Sequence, residues 1–273
     1  MRALIFPLLV AASFAMALAP APATARSLTL TTPPRESAEK AAAIMHPIAE
    51  HLTQALGTPV TFEYADNWLT YQSRMQKNEF DIVFDGPHFV SWRMSKLGHT
   101  PVVELPGELQ YVVVTRKENA VVSDLTDIPG RALCSPAPPN LGALIALYEF
   151  SNPVRQPILR NTKGFPQAFE GLLQGKCVAA VIQAKQYEKL DKDLKAGRVV
   201  FKSKGLPNQA ISASPRLSTE QVVRMQQALM SDAGKQATRL LREEYNGQDF
   251  VSATEDEYRG HSILLKDSWG FSQ

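Results

Sequence analysis

Short apolar strands and longer amphipathic helices alternate along the first part of the chain. Residues 27–31 and 60–64 alternate apolar and polar side chains, which predicts two strands. Between them, apolar residues recur at every fourth position in Ala38–Leu56, which predicts a helix. Pro47 lies inside that helix and is expected to kink or split it. A second helix and a third strand follow, and this β-α-β order favours a parallel sheet covered by helices.

The third strand and the next helix meet in the stretch between residues 78 and 93. Gly86 permits a sharp turn there, and Pro87 suits the first helical position, where no N–H group is needed. The carboxyl end of the strand therefore brings Asp85, His88 and the free N–H groups of a helix start to one point. Ligands of open α/β sheets bind at that edge. We expect one wall of a binding cleft here.

The same pattern restarts after residue 115 and breaks again near residue 205. We therefore predict an α/β fold of two lobes with parallel or mixed sheets, joined by a hinge of two extended segments. The first lobe is expected to contain residues 26–115 and 205–273, and the second lobe residues 116–204. The remaining strands are predicted at residues 102–103, 109–115, 131–134, 178–182, 199–202 and 210–213, and helices at residues 138–150, 165–173, 187–196, 219–229 and 233–245.

The first 25 residues have the features of a cleaved signal peptide. Arg2 precedes an apolar run over residues 3–19, and the small residues at 23–25 form a cleavage site. No later segment reaches the roughly 18 apolar residues that a membrane span requires. The formal net charge of +2 gives no electrostatic argument for a nucleic-acid partner. We expect a periplasmic protein with no direct membrane insertion.

The two cysteines, Cys134 and Cys177, form an even pair in a chain that is expected to be exported. In an oxidising compartment such a pair predicts a disulfide, and loop closure of this length would stabilise the fold by roughly 4 kcal/mol. Two cysteines without a nearby pair of histidines do not supply the four ligands of a zinc site. We therefore expect no metal and no other cofactor.

Motifs that would indicate an enzyme do not occur in the chain. The five histidines show no His-x-x-x-His spacing, and there is no Gly-x-Ser-x-Gly elbow and no Gly-rich phosphate loop. Asp81 and Asp85 lie at even spacing along one strand, but Asp81 begins that strand and is expected at the surface. We predict that the protein is not an enzyme and has no catalytic residues.

Several motifs together resemble those of a known family. They are Pro-Pro-Arg-Glu at residues 33–36, the stretch 78–93, Asp124-Leu125 followed by Gly130-Arg131, and residues 175–180. With them the chain resembles the periplasmic phosphate- and phosphonate-binding proteins of ABC importers, within the type II periplasmic binding fold. The resemblance covers most of the chain after the leader. It implies two lobes that close over a small molecule, and a membrane permease as partner. We expect a monomer.

The chain departs from that family in two places. Phosphonate binders open the first helix of the second lobe with a Ser-Thr-Ser-Gly turn, whereas the matching residues 138–142 here contain no hydroxyl group. The backbone N–H groups of that helix start could still hold an anion. After the strand at residues 178–182 the family has an acidic residue that receives an ammonium group, and this chain has Gln183, Lys185 and Gln186 in that loop. A zwitterionic aminophosphonate is therefore disfavoured.

Ten residues at the predicted strand ends are the candidate ligand contacts, and several have a structural alternative. Asp85 is alternatively a helix cap, and His88 alternatively packs against Trp92. Trp68 and Tyr71 have the spacing of core residues, and Asn140 has that of a cap. Arg93 is expected to be a solvated surface charge. The candidates are Thr32, Arg35, Trp68, Tyr71, Asp85, His88, Tyr111, Pro139, Asn140 and Gln183.

Three functions are compatible with these features. The first is the solute-binding component of an ABC-type importer, which captures a small polar or anionic ligand of the phosphate or phosphonate kind in the cleft. The second is a sensor subunit that presents its ligand to a receptor or histidine kinase. The third is a periplasmic enzyme that uses Asp85 and His88.

Overall fold

The computed structural model describes residues 27–245, 247–268 and 270–271, in which eleven strands and ten helices form two sheets with flanking helices. We call each sheet with its helices a layer. The predicted leader lies outside the described residues. The strands are β1 Leu28–Thr31, β2 Val60–Phe62, β3 Ile82–Asp85, β4 Thr100–Glu104, β5 Tyr111–Arg116, β6 Ala132–Pro136, β7 Ile158–Thr162, β8 Ala179–Gln183, β9 Gly197–Lys202, β10 Ala210–Ala213 and β11 Val251–Ser252. The helices are α1 Ala38–Leu56, α2 Trp68–Gln76, α3 Pro87–Leu97, α4 Leu141–Tyr148, α5 Phe165–Leu173, α6 Ala184–Leu190, α7 Thr219–Met230, α8 Asp232–Ala237, α9 Arg239–Tyr245 and α10 Glu255–Tyr258.

The first sheet has the strand order β11-β4-β10-β3-β1-β2. Strands β1, β2 and β3 run parallel, and β10, β4 and β11 are antiparallel to their neighbours. Helix α1 buries Ile48 and Leu52 against this sheet and continues through Pro47 without being split. It ends at Gly57, whose φ of 65° is the left-handed conformation that glycine tolerates best. The predicted parallel arrangement therefore holds for half of this sheet.

The second sheet has the order β7-β6-β8-β5-β9. Strands β7, β6 and β8 are parallel, whereas β5 is antiparallel to both β8 and β9. Strand β8 is apolar until its last residue because helices cover both of its faces. Cys134 on β6 and Cys177 before β8 form a disulfide, with their Cα atoms 5.7 Å apart, which confirms the predicted pairing.

Two extended segments connect the sheets, one between β4 and β5 and the other between β9 and β10. They pair with each other, since Leu109 N–H donates to Leu206 O at 2.8 Å and Leu206 N–H donates back at 3.0 Å. Strand β5 itself lies in the second sheet, so a first lobe ending at residue 115 would include a strand of the other sheet. The alternation of residues 109–115 predicts a strand but not its neighbours. The division into lobes with stated limits stays a prediction.

A short C-terminal 3₁₀ segment, His261–Leu265, packs against helices of both sheets. It lies against α3 of the first layer and α4 of the second. Leu144 of α4 shares one apolar cluster with Leu265 and with Phe89 of α3. The two layers are therefore in contact through apolar side chains beside the cleft. Within the described ranges, no helix combines the length and the apolar character needed to cross a membrane.

Candidate functional site

The start of α3 is built by the turn that follows β3. Gly86 is the residue before the helix and has extended backbone angles, φ −76° and ψ 160°. Gly86 is the N-cap, and no side chain of the described residues caps the helix, so the alternative in which Asp85 is the cap is wrong. Pro87 occupies the first turn, as predicted. His88 follows it and is buried, with 2% of its surface exposed.

The ring of His88 reaches from the first layer to the second. Its Nε2 atom lies 3.1 Å from the carbonyl oxygen of Pro139, in the loop before α4. A carbonyl oxygen only accepts hydrogen bonds, so Nε2 carries the hydrogen and donates it. Burial, and then the positive charge of Arg35, lower the pKa of His88 to about 3. The ring is therefore neutral near pH 7, and its Nδ1 atom is an acceptor.

The Nδ1 atom of His88 is buried, and no described residue forms a hydrogen bond with it. A Cβ atom placed on Gly86 would lie 3.2 Å from this Nδ1 and 3.7 Å from the Nη2 atom of Arg35. The two side chains therefore lie next to each other along the Gly86 backbone, where His88 would crowd an added methyl group. Nearly all buried polar atoms in proteins are hydrogen-bonded, so an unpaired nitrogen at this place indicates that a partner is missing.

Arg35 lies in the loop after β1, opposite the start of α3. Its Nη1 atom donates to the hydroxyl oxygen of Tyr245 at 3.2 Å, and the side chain is otherwise exposed. Tyr245 ends α9 and packs edge-on against Phe84, with ring centroids 5.2 Å apart. Thr32, in the same loop, donates its hydroxyl hydrogen to Phe84 O at 3.3 Å. Arg35 thus has a fixed position and a free face.

The second sheet contributes Tyr111 and Gln183. They stand directly opposite each other in the antiparallel pair of β5 and β8, so their side chains share the face that α4 covers. The ring of Tyr111 packs against Gly142, where an added Cβ would come within 2.9 Å of it. Burial raises the pKa of Tyr111, and the charge of Arg35 opposes part of this rise. The positive charge of Arg35 therefore reaches across to the second layer.

We call the group formed by Arg35, Gly86, His88, Tyr111 and Tyr245 the intersheet site. Asn140 lies beside the site and caps α4, because its side chain accepts from Gly142 N–H at 3.0 Å. The helix-cap role, given above as the alternative to ligand contact, is therefore present. Whether Thr32, Asn140 or Gln183 also contacts a ligand stays a prediction.

Asp85 is part of a buried ion pair below the site. Its carboxylate accepts from Arg93 Nε at 2.8 Å, and the hydroxyl of Tyr71 lies 2.8 Å from both of its oxygens. All three side chains are 0% exposed. The expectation that Arg93 is solvated is wrong, because α3 turns this residue inward over the end of β3. Burial, and then the charge of Asp85, raise the pKa of Tyr71, so its hydroxyl remains a donor.

Asp81, at the other end of β3, is also buried rather than at the surface. It accepts from Thr29 N–H at 2.8 Å and forms an ion pair with Arg216. The carboxylates of Asp81, just before β3, and of Asp85, at its end, are thus both engaged by the protein. Asp85 and His88 have separate partners, which is not the arrangement of an acid–base pair. Within the described ranges, no three His, Cys, Asp or Glu side chains gather closely enough to hold a metal ion.

Trp68 and Tyr71 belong to the aromatic packing beside the site. Trp68 stacks on Phe89 with ring centroids 6.1 Å apart and meets Tyr71 edge-on at 6.1 Å. Phe89 in turn lies against the ring of His88, at 4.2 Å. Tyr71 is buried, as in its core alternative, and its contact with a ligand stays a prediction. Trp68 is half-buried, and its contact with a ligand stays a prediction.

Two features of the site are not predicted by the sequence: the contact of Tyr245 with Arg35, and the position of Gly86 next to His88 Nδ1. Tyr245 is more than 200 residues from Arg35 along the chain, and nothing in the helical pattern around it indicates a site. Among the described residues, His88 Nδ1 is unpaired because Nε2 is the atom that bonds to Pro139. The sequence does not show that Pro139 lies next to His88 in space.

Two mixed sheets with flanking helices, joined by two paired crossings around a polar group of side chains, define the type II periplasmic binding fold. The family model for the periplasmic substrate-binding protein of phosphonate ABC transporters matches residues 30–258. The chain belongs to this family. Its members are periplasmic proteins that bind a small ligand and act with the permease of an ABC transporter.

Solved structures share the fold at low sequence identity. A Xanthomonas citri protein bound to ATP superposes with a TM-score of 0.72 and 9% identity, over 90% of this chain and 99% of that one. PhnD1 of Prochlorococcus marinus, in complex with methylphosphonate, gives 0.66 and 12%, over 88% and 97%. A binding protein component of the phosphonate ABC transporter of Pseudomonas aeruginosa gives 0.61 and 14%, over 85% and 83%. Among curated proteins, no sequence matches this chain.

Proposed function

We propose that this protein binds a small oxyanion in the intersheet site and delivers it to the permease of an ABC importer. The observation that carries the proposal is the convergence of the Arg35 guanidinium and the unpaired His88 Nδ1 on one space at the start of α3. A guanidinium is a strong partner for phosphonate, phosphate or carboxylate oxygens. The other arginine of this region, Arg93, is neutralised by Asp85.

Capture by closure follows from the position of the site. His88 and Arg35 come from the first layer, and Tyr111 and Pro139 from the second, so a ligand gains all of its contacts only when the layers approach. The paired crossings around Leu109 and Leu206 would act as the hinge. We propose that each sheet with its helices moves as one lobe, that the mature protein begins after the predicted leader, and that it acts as a monomer.

The proposed ligand is a phosphonate or phosphate without an ammonium group. Family membership and the methylphosphonate complex of PhnD1 favour this class. The turn before α4 offers no hydroxyl to phosphorus oxygens, so more of the anion binding would fall to Arg35. Gln183 in place of an acidic residue leaves an ammonium group without a counter-charge.

Calorimetric titration with methylphosphonate, phosphate, 2-aminoethylphosphonate and acetate tests the proposal. We expect saturable binding of methylphosphonate or phosphate, and weaker binding of the aminophosphonate. Arg35→Met should weaken this binding roughly 10- to 100-fold, the effect of losing a charged hydrogen-bond partner, while the exposed control Arg160→Met leaves it unchanged. Absence of binding by the panel, or equal binding by the Arg35 variant, contradicts the proposal. The recovered ligand should be chemically unchanged.

A further inference from the structure

The hydrogen-bonding state of His88 restricts which ligands can fill the intersheet site. Its Nε2–H group is already used by the carbonyl oxygen of Pro139 at 3.1 Å. A neutral imidazole carries one hydrogen only, so Nδ1 presents a lone pair to the space beside Gly86. This nitrogen is buried and is without a partner in the part of the chain that the structure describes. A group that fills the space must therefore bring a hydrogen of its own, or leave a buried acceptor unpaired next to an anion.

We infer that the ligand donates a hydrogen bond to His88 Nδ1, so that an oxyanion is bound in its singly protonated form. Arg35 then holds the unprotonated oxygens, and the P–OH group of a phosphonate or phosphate monoanion points at Nδ1. This inference rests on the proposed function and specifies the protonation state of its ligand. A dianion has no hydrogen for Nδ1, and it would place a charged oxygen against the nitrogen lone pair.

The charged and titratable groups around His88 favour the same assignment. Arg35 faces it from the loop after β1, and His261 faces it from the C-terminal segment. Burial, and then the charge of Arg35, lower the pKa of His88, whose neutral state is therefore retained when an anion is absent. Burial lowers the pKa of His261 as well, so this second ring supplies no charge near pH 7. From the loop before α4, the carbonyl oxygen of Pro139 contacts the ring, and it cannot donate.

A matched pair of ligands isolates the hydrogen. Methylphosphonate monoanion and methanesulfonate have nearly the same shape and the same single charge, and only the first carries an O–H group. We expect calorimetry on the wild-type protein to show methylphosphonate binding roughly 10- to 100-fold more tightly, the range for leaving one buried acceptor unpaired. Its affinity should also fall as the pH rises through the second ionisation of methylphosphonate, whereas any binding of methanesulfonate should not change over that range.

A substitution at His88 tests whether this residue causes the preference for methylphosphonate over methanesulfonate. His88→Phe keeps a ring against Phe89 but removes Nδ1, so the preference for methylphosphonate over methanesulfonate should shrink toward equality. The matched control, His46→Phe on the exposed side of α1, should retain the wild-type ratio. The wild-type comparison and its pH series need no variant, so they decide the inference even if His88→Phe does not fold.

The outcomes separate this inference from the proposed function. The inference alone is overturned if the wild-type protein binds methylphosphonate and methanesulfonate with equal affinity. It is also overturned if the affinity for methylphosphonate increases as this ligand loses its second proton. A folded His88→Phe variant that keeps the full wild-type ratio also overturns it. Failure of both ligands, together with phosphate, to bind the wild-type protein overturns the proposed function and this inference with it.

Discussion

His88 donates a hydrogen bond from Nε2 to the carbonyl oxygen of Pro139 at 3.1 Å and thereby joins the start of α3 to the loop before α4. The bond connects the two layers of the fold near Arg35, whose charge also acts on Tyr111 of the second layer. It fixes the direction of the imidazole and leaves Nδ1 as the acceptor inside the intersheet site. The geometry that brings the layers together is thus the geometry that prepares the site.

Filling the space beside Gly86 should block the ligand without unfolding the protein. Gly86 has φ −76°, which alanine adopts without strain, and the added Cβ would lie 3.0 Å from His88 Cε1. We expect Gly86→Ala to reduce ligand affinity by at least about tenfold, a loss of roughly 1.4 kcal/mol, as measured by calorimetry. Gly164→Ala is the control, because Gly164 also precedes a helix and its Cβ would meet nothing nearer than 3.7 Å. Unchanged affinity in Gly86→Ala would place the ligand elsewhere.

The buried ion pair should matter for stability. Arg93→Met leaves the carboxylate of Asp85 buried with the Tyr71 hydroxyl but without its ion-pair partner, and breaking a buried pair in this way typically costs about 3–5 kcal/mol. Urea denaturation measures the free energy of unfolding. The same substitution at Arg239, whose partner Glu243 is exposed, should change it by no more than about 0.5 kcal/mol. Equal effects at the two positions would show that Asp85 is not buried as described.

The disulfide should stabilise the protein by reducing the conformational entropy of the unfolded chain. Cys134 and Cys177 are 43 residues apart, and the chain-entropy model gives about 4 kcal/mol for closing a loop of that length. The double variant Cys134→Ala and Cys177→Ala should lose a free energy of unfolding of that order in urea. Reductant should then have no further effect on the variant. A loss below about 1 kcal/mol would mean that the loop is held by other contacts.

Stability should decrease in mild acid because two histidines are buried in the neutral form. Burial, and then nearby arginines, lower the pKa of His99 to about 2, and that of His88 is lowered to about 3. The unfolded chain binds a proton at each near pH 6.5. Between pH 6.5 and pH 3 the unfolded state therefore holds more protons, and the free energy of unfolding falls as the pH falls, by up to about 1.4 kcal/mol per pH unit for each histidine.

A single variant tests that pH dependence. His99 Nε2 lies 3.2 Å from the side-chain oxygen of Asn78, and a glutamine amide can replace this donor without titrating. His99→Gln should flatten the dependence of the free energy of unfolding on pH below 6.5, and His46→Gln on the exposed side of α1 should not. An unchanged slope in His99→Gln would show that His99 is protonated in the folded state.

Much of the fold is readable from local pattern. The fourfold spacing in α1 and the apolar run of β8 each predict their element within a residue or two, because they record which faces are buried. The sequence pattern does not predict strand β7, because Arg160 and Asn161 are exposed at the edge of the sheet and interrupt the apolar alternation. The pairing of β5 with β8 is likewise a tertiary choice, since an alternating strand can join either sheet.

The site is less predictable because it depends on partners that are distant along the chain. The turn from β3 into α3 was correctly placed by Gly86 and Pro87. Arg93 was misplaced, since a single cation on a helix gives no sign that a carboxylate lies beneath it. Asp85 therefore looked available for a ligand, although the protein itself occupies its oxygens.

The most direct measurement is a crystal structure of the protein with methylphosphonate. The account predicts the phosphonate group beside Gly86, with oxygens at about 3 Å from the Arg35 guanidinium and from His88 Nδ1, and with the His88–Pro139 bond retained. A phosphonate group bound away from both side chains, for example only at the N–H groups that open α4, would contradict it.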